Sequence, residues 1–240
     1  MTPAPHAFGY KLTSLPKKEE KDPSAAAVSA GTYIFANALS WVSAHNLPQF
    51  KSALANAQKI FPDGIGTVIA CKIHSNNSIQ RVTGPDFTHA SLQKWKSNSM
   101  LFIGGSHLGY LRILQIYNLS QSELFIPPYA PFSEAQTLND LSHIKNKNPD
   151  IVWVCLGSPK QELWADFARL HLKNSKIFSV GNAFHVLSGE KKRAPLWIRS
   201  AGLEWAYRLA QEPFRLFNRC LIGNSMLLFL TIKYKITHRP

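Results

Sequence analysis

Short apolar runs recur along the chain, and each is followed by a stretch with helical character. The clearest runs are MLFI, ELFI, IVWVCL and KIFSV, and IVWVCL is apolar without interruption. A strand that is apolar throughout has both faces covered, which is typical of a parallel sheet with helices on both sides. Alternation of such runs with helices of about 10–15 residues predicts an α/β fold, with a Rossmann-like, mostly parallel sheet and helices on both faces.

The pattern gives approximate bounds for the elements. The predicted strands are Thr32–Ala36, Thr67–Ile73, Met100–Ile103, Glu123–Ile126, Ile151–Leu156 and Lys176–Val180. The predicted helices run from about Leu39 to Ala57, Phe87 to Lys96, Glu134 to Lys145 and Leu203 to Gln211, with another beginning at Pro213.

Composition divides the chain into three parts. Residues 1–30 are rich in Pro, Ala, Ser and Lys without periodicity, and we expect a flexible leader outside the fold. Residues 31–189 form the α/β core, and residues 190–240 form a basic, amphipathic C-terminal helical appendage. From Glu190 onward ten basic residues stand against three acidic ones, so this segment carries +7 of the net charge of +13.

A strongly basic surface attracts anions, which here include nucleic acid, phosphorylated substrates and an acidic membrane leaflet. The charge alone does not choose among them. In the appendage, arginines alternate with aromatic and aliphatic residues, and two interpretations follow. It is either a helical pair on the sheet with solvated arginines, or a basic amphipathic segment that meets anionic lipid or a diphosphate. We favour the second.

Cysteine usage and hydropathy bear on the compartment. Cys71, Cys155 and Cys220 are widely spaced, which predicts buried thiols in a reducing cytoplasm and no disulfide framework. The N-terminus lacks the apolar core of a signal peptide. The apolar stretch Leu221–Ile232 has 12 residues, fewer than the ~18 that span a bilayer. We therefore expect a cytoplasmic protein that lies peripherally on the inner face of the cell membrane.

The loop after IVWVCL, Gly157 to Glu162 (GSPKQE), is the sharpest motif. In an open α/β sheet, ligands bind beyond the carboxyl ends of the strands. Ser158 is expected to cap the next helix, with Pro159 in its first turn and Gln161 completing a capping box. The free N–H groups of that helix, with Lys160 beside them, predict an anion site. An ordinary capped helix is the alternative.

Three other loops carry weaker signals. Gly104 and Gly105 follow a strand, and they either let a nucleotide approach the backbone or form a tight turn. Asp63 stands in DGIG, where it either serves only to form a turn or supplies a functional carboxylate. Arg81 begins RVTGPD, a possible phosphate clamp. No D-x-D motif and no zinc spacing occur in the sequence, so we expect no metal, and arginines, lysines and helix termini would hold a leaving diphosphate.

Together these motifs resemble the WecG/TagA/CpsF family, glycosyltransferase family 26. The resemblance runs from about Thr32 to Leu228 and is densest from Pro149 to Gly223. It rests on PDIVWVCLGSPKQELW, then VGNAF and LSGEKKRAPLWIRSAGLEWAYRLAQEPFRL, with DGIG, RVTGPD, LFIGG and PPYAPF in the family's order.

The resemblance implies an inverting, metal-independent transfer of N-acetylmannosamine or a related hexose. The sugar moves from a UDP donor to an undecaprenyl-diphosphate-linked sugar in surface polysaccharide biosynthesis, with no cofactor. Asp63 matches the general base. Basic positions Arg208 and Arg215, with Arg193 as a further candidate, would stabilise the departing UDP. Residues expected to line the substrate pocket are Asn37, Arg81 and Gln161.

Two positions depart from the family's pattern. Phe35 stands where the family often has Thr, and His185 stands where many members have Asp, so the transferred sugar stays open. The alternative function is a basic α/β module that binds nucleic acid without catalysis, although no signature of such a module is visible. A nicotinamide or methyl-donor enzyme is a weaker alternative. Exposed aromatic residues of the appendage could serve lipid or a homo-oligomer.

Overall fold

The computed structural model describes residues 5–13, 29–145 and 147–237, except the side chains of residues 215 and 218–222. Eight strands lie in this part of the chain: β1 (His6–Ala7), β2 (Tyr10–Lys11), β3 (Gly31–Ala36), β4 (Lys59–Pro62), β5 (Met100–Gly104), β6 (Ser122–Phe125), β7 (Ile151–Cys155) and β8 (Lys176–Ser179). Its helices are α1 (Ala38–Asn46), α2 (Pro48–Ala55), α3 (Ile65–Ser75), α4 (Gly84–Lys94), α5 (His107–Tyr117), α6 (Glu134–His143), α7 (Lys160–Ala168), α8 (Ala183–Leu187), α9 (Leu196–Ser200), α10 (Glu204–Gln211) and α11 (Pro213–Thr237).

Strands β3 to β8 form one six-stranded sheet in the order β4-β3-β8-β7-β5-β6, and every neighbouring pair is parallel. Alternate residues of each strand point to opposite faces. One face packs against α4, α5 and α8 through an aromatic core. The other face packs against α1, α2 and α3 at one end and α6 and α7 at the other. The predicted Rossmann-like α/β fold is therefore confirmed.

The strand predicted at Thr67–Ile73 is wrong, because this segment lies within helix α3. Thr67, Ala70 and Cys71 are buried in the core, at the i, i+3, i+4 spacing of one helical face. Ile65 and Ile69 lie on another face and stay exposed. A helix that is apolar on two faces has no visible period in its sequence, so it resembles a buried strand.

The edge strand β4 was missed by the sequence pattern. It has only four residues, KIFP, and ends in proline, which cannot donate a hydrogen bond to a sheet. The long helix predicted from Leu39 to Ala57 is divided into α1 and α2. Leu47 is extended, as expected for a residue before proline, and Pro48 begins α2.

The expected leader is partly corrected. Residues 5–13 form the β1–β2 hairpin and pack on the domain, with Ala7 and Leu12 buried. Thr13 N–H donates to the Ile60 carbonyl at 2.8 Å, which covers the edge of β4. Residues 1–4 and 14–28 of the expected leader lie outside the described residues.

A histidine joins this hairpin to the C-terminal helix. Phe8 N–H donates to Nδ1 of His74 at 3.2 Å. The other ring nitrogen, Nε2, lies 3.1 Å from the Thr231 carbonyl in α11. The first bond requires an unprotonated Nδ1, so Nε2 carries the hydrogen and donates to Thr231.

The predicted helices at Leu203–Gln211 and from Pro213 are confirmed as α10 and α11. Helix α11 buries Leu227 and Thr231. Among the described residues, no helix is long and apolar enough to cross a membrane. The boundary of the appendage at residue 190 stays a prediction.

Gly104, at the end of β5, is expected to contribute strongly to the stability of the fold. Its φ is +84°, and a Cβ there would lie 2.6 Å from the carbonyl oxygen of Cys155. Gly104→Ala should reduce the free energy of unfolding by about 2–5 kcal/mol, the combined effect of left-handed backbone strain and overpacking. Urea unfolding followed by circular dichroism measures it.

The matched control is Gly157→Ala, since Gly157 has a φ of +78° and open space around its Cβ position. The free energy of unfolding of Gly157→Ala should fall only by the contribution of backbone strain, about 1–2 kcal/mol. Equal losses in the two variants would mean that the close approach to Cys155 has no energetic effect.

Candidate active site

A cleft of about 1390 Å³ lies at the carboxyl ends of β4, β3, β8 and β7, which are adjacent in the sheet. Loops after these strands form its base, and α3, α10 and α11 form its walls. Its volume exceeds the roughly 300–1,000 Å³ of a pocket for one drug-sized ligand. The cleft is lined by eight of the predicted site residues: Asn37, Asp63, Arg81, Gly157, Lys160, Gln161, Arg193 and Arg208.

Asp63 directly follows β4, and its N–H donates to the Ala36 carbonyl at the end of β3, at 2.9 Å. Burial raises the pKa of its carboxyl to about 6. Arg208, Arg81 and Arg193 lower this pKa, whereas the charge of Glu204 raises it. A carboxyl with a pKa near neutrality, partly accessible from the cleft, suits proton transfer.

The sequence patterns did not indicate Glu204, the first residue of α10. It is buried, and its carboxylate is contacted by three arginines. Oε1 lies 3.5 Å from Arg193 Nε and 3.5 Å from Arg208 Nη2, and Oε2 lies 3.7 Å from Arg81 Nη1. One carboxylate therefore holds together three guanidinium groups from different parts of the chain.

A second carboxylate, Asp86, supports this cluster from α4. Arg193 donates to both of its oxygens, at 2.5 and 2.7 Å, and Arg199 lies 3.4 Å away. Burial opposes ionisation, but hydrogen bonds from Arg193 and Thr83 outweigh it, so the pKa of Asp86 is lowered. Arg193 is thus fixed at both ends of its guanidinium group.

The loop GSPKQE differs from its predicted form. Helix α7 begins at Lys160 with Pro159 as its N-cap, after a cis Ser158–Pro159 bond. Ser158 is therefore not the helix cap, and its Oγ makes no hydrogen bond within the described part of the chain. The side chain of Lys160 donates to the Pro128 carbonyl at 3.1 Å, so its charge is held at the rim of the cleft.

Gln161 is buried, and the protein itself uses both ends of its side-chain amide. Its Oε1 accepts from Gly181 N–H at 3.1 Å, and its Nε2 donates to Glu162 at 2.9 Å and to the Ser179 carbonyl at 3.4 Å. Asn182, which follows Gly181, accepts a hydrogen bond from Arg208 at 3.1 Å. Gln161 therefore positions the loop that holds Arg208.

Asn37 and Arg81 are also partly committed to protein contacts. Asn37 caps α1, with its Oδ1 accepting from Leu39 N–H at 3.0 Å. Arg81 donates to the Arg199 carbonyl at 3.0 Å in addition to its contact with Glu204. Both side chains still line the cleft.

Comparison with known proteins identifies the chain. A sequence model of the Glycosyl transferase WecG/TagA/CpsF family matches residues 6–240. The chain belongs to this family. The match begins within the β1–β2 hairpin, upstream of the resemblance seen in the sequence, so the family's shared region includes the hairpin.

Two relatives carry the name N-acetylglucosaminyldiphosphoundecaprenol N-acetyl-beta-D-mannosaminyltransferase. The one from Bacillus subtilis (strain 168) is 30% identical over 165 residues, 68% of this chain and 64% of the relative. The one from Bacillus spizizenii (strain W23) is 29% identical over 170 residues, 70% of this chain and 66% of the relative. The chain thus matches slightly less than two thirds of the length of each.

The other three predicted site residues of this WecG/TagA/CpsF chain are Gly104, Gly105 and Arg215. Gly104 ends β5, the neighbour of β7 in the sheet, and Gly105 follows it, but neither glycine lines the cleft. They fit against backbone and ring atoms instead, since a Cβ at Gly105 would lie 3.1 Å from Phe184. The side chain of Arg215 lies outside the described part of the structure.

The two departures from the family pattern both line the cleft. Phe35 is buried in β3 and stacks with Phe61, with ring centroids 5.1 Å apart. His185 in α8 pairs with Glu190, Nδ1 to Oε2, at 2.6 Å. An apolar ring therefore replaces a hydroxyl, and an imidazole replaces a carboxylate, in the lining. Among the described residues, no group of three or more His, Cys, Asp or Glu side chains could hold a metal ion.

Asp63→Asn should stabilise the fold at neutral pH. The pKa of about 6 in the folded state lies above the ordinary aspartate value of 3.8, so the folded state binds the proton more tightly than the unfolded state. The resulting stability is fully present below pH 3.8 and is lost as the pH rises through about 6. Because asparagine stays neutral, the variant should exceed the wild type by about 1–3 kcal/mol at pH 7 and by little at pH 4.

Urea unfolding at pH 4, 5, 6 and 7 measures this difference. Asp150→Asn is the control of opposite sign, because hydrogen bonds from Ser99 lower the pKa of Asp150, and it should lose stability at pH 7. A gap between Asp63→Asn and the wild type that does not change between pH 4 and 7 would contradict the raised pKa.

Proposed function

We propose that this glycosyltransferase moves an N-acetylmannosamine-like hexose from a UDP donor to the sugar of an undecaprenyl-diphosphate-linked acceptor. The name of the two relatives supports both the transferred sugar and the lipid-linked acceptor. The observation that carries the proposal is the position of Asp63, a carboxyl with a pKa of about 6 in the cleft that holds three arginines. A nucleic-acid-binding module without catalysis is not favoured by any of these observations.

Asp63 acts as the general base. It takes the proton from the acceptor hydroxyl while the hydroxyl oxygen bonds to the anomeric carbon of the donor. The bond from that carbon to the UDP oxygen breaks at the same time, with its electron pair going to UDP. A single displacement of this kind inverts the configuration at the anomeric carbon.

The leaving diphosphate gains negative charge, and the arginine cluster stabilises it. Arg81, Arg193 and Arg208 are held by Glu204 before any substrate binds, so little reorganisation is needed when charge develops. Guanidinium groups bind phosphate oxygens bidentately and stay charged at all accessible pH values. This arrangement supports a reaction that needs no metal ion.

The appendage and its surroundings support a place at the membrane surface. Trp197 is 70% exposed and Phe214 is fully exposed, close in sequence to the basic residues of the same segment. Aromatic and cationic side chains together favour the interface of an anionic leaflet. The enzyme would then meet its lipid-linked acceptor on the inner face of the cell membrane.

Asp63→Asn should reduce kcat by at least about 100-fold with little change in the KM for the UDP-sugar, because general base catalysis contributes about 10²–10⁴-fold. Wild-type kcat/KM should fall about tenfold per pH unit below a pH of about 6. UDP release with a panel of UDP-sugars and a polyprenyl-diphosphate-linked sugar, with mass detection of the lipid product, measures both.

Asp166→Asn is the control, since Asp166 pairs with Arg169 and does not line the cleft. A fully active Asp63→Asn enzyme would refute the assignment of the base. The wild type is assayed with and without EDTA, and a strict requirement for a divalent cation would contradict the metal-free mechanism.

Glu204→Gln tests the holding of the arginines. We expect kcat to fall about tenfold or more, as when preorganised electrostatic stabilisation is lost. The acidic limb of the pH–rate profile should also move to lower pH, because Glu204 raises the pKa of Asp63. A purely structural loss would lower kcat without moving the profile, and that result would contradict this role. Thermal unfolding confirms that the variant is folded.

A further inference from the structure

Helix α3 presents an apolar stripe to the cleft. Ile65, Ile69 and Ile73 line the cleft, and residues four apart lie on one helical face. The opposite face of α3 carries Thr67, Ala70 and Cys71, which are buried in the core. The isoleucines of the stripe are therefore not needed to attach α3 to the sheet.

Helix α11 continues this apolar surface. Leu227, Leu228 and Thr231 line the same cleft. The two helices approach closely at Gly66, where a Cβ would lie 2.7 Å from Leu227 Cδ2. Side chains of α3 and α11 thus form one continuous wall, which we call the α3–α11 groove and define by Ile65, Ile69, Ile73, Leu227, Leu228 and Thr231.

Part of the groove remains in contact with solvent. Ile69 is 50% exposed and Leu228 is 57% exposed. Transfer of such apolar area out of water is favourable. Apolar side chains that line a cleft and stay exposed mark a surface that an apolar ligand would cover.

The groove starts at the catalytic end of the cleft. Helix α3 begins at Ile65, two residues after Asp63. The stripe from Ile65 to Ile73 extends about 12 Å along the helix axis, at 1.5 Å per residue. The cleft is therefore charged near Asp63 and Arg81 and apolar along α3, which matches a ligand with a diphosphate at one end and a hydrocarbon chain at the other.

We propose that the α3–α11 groove binds the first part of the polyprenyl chain of the acceptor, next to its diphosphate. The inference rests on the proposed function and assigns the lipid to named residues. A UDP-sugar offers no hydrocarbon for the groove. A second protein chain offers no sugar diphosphate for the charged end of the cleft.

Binding without turnover tests this proposal. Isothermal titration with farnesyl diphosphate, inorganic diphosphate and UDP gives three affinities for the full chain. The wild type should bind farnesyl diphosphate at least about tenfold more tightly than inorganic diphosphate, because burial of a few CH₂ groups supplies that factor. Ile69→Ser with Leu228→Ser should remove most of this preference and leave the affinities for inorganic diphosphate and UDP unchanged.

The matched control is Leu111→Ser with Ile116→Ser. These residues of α5 are 60% and 59% exposed and lie outside the cleft lining, so the preference for farnesyl diphosphate should persist. Loss of the preference in the groove variant alone supports the proposal. An equal preference in all three proteins overturns it, as does the absence of any preference in the wild type.

Two further measurements separate other outcomes. If size-exclusion chromatography shows that the groove variant converts a dimer to a monomer while farnesyl diphosphate binding is unchanged, a second copy covers the groove and the proposal is wrong. If the preference depends on the groove but no sugar transfer occurs, the lipid site stands and the proposed function fails. If transfer from a UDP-sugar to a long-chain acceptor is unaffected in the groove variant, only the groove inference fails.

Discussion

The parallel direction of all six strands is the constraint on which the rest of the structure depends. Because every strand runs the same way, the loops after β4, β3, β8 and β7 meet at one edge of the sheet. Residues more than a hundred positions apart in sequence, such as Asp63 and Asn182, are thereby brought to one cleft. When the C-terminal segment folds across this edge, its residues Arg193 and Arg208 come close enough to act on the carboxylate of Asp63.

Charge balance within the cleft follows from that arrangement. Removing three arginines from water is unfavourable, and their like charges also repel one another. The carboxylate of Glu204 offsets both effects. The same negative charge acts against ionisation of Asp63, so it favours a basic carboxylate at the moment of proton transfer. Glu204 thus has opposite effects on its two sets of neighbours: it keeps the arginines together and keeps Asp63 from becoming too weak a base.

The sequence predicted the fold class and most strands, because IVWVCL and similar runs are apolar on both faces and permit few alternatives. It also predicted eight of the residues that line the cleft, through motifs and the family resemblance. It failed for α3, where a second apolar face faces the cleft, and for β4, which is short and ends in proline. Glu204 was not found because its role depends on contacts with arginines that lie elsewhere in the sequence, and a local sequence pattern does not reveal such contacts. Gly104 and Gly105 do not line this cleft, and the sequence could not distinguish a ligand contact from a close backbone approach because glycine serves both.

The imidazole of His74 has a consequence for the two ends of the described chain. It accepts a hydrogen bond from the β1–β2 hairpin and lies against a carbonyl of α11. One neutral ring therefore connects the hairpin to this helix. A proton added at Nδ1 would face the N–H of Phe8, and the fastening would open on the hairpin side. Deleting either the β1–β2 hairpin or the part of α11 around Thr231 would therefore remove a partner of His74 and weaken the attachment of the other element, and α11 forms one wall of the cleft.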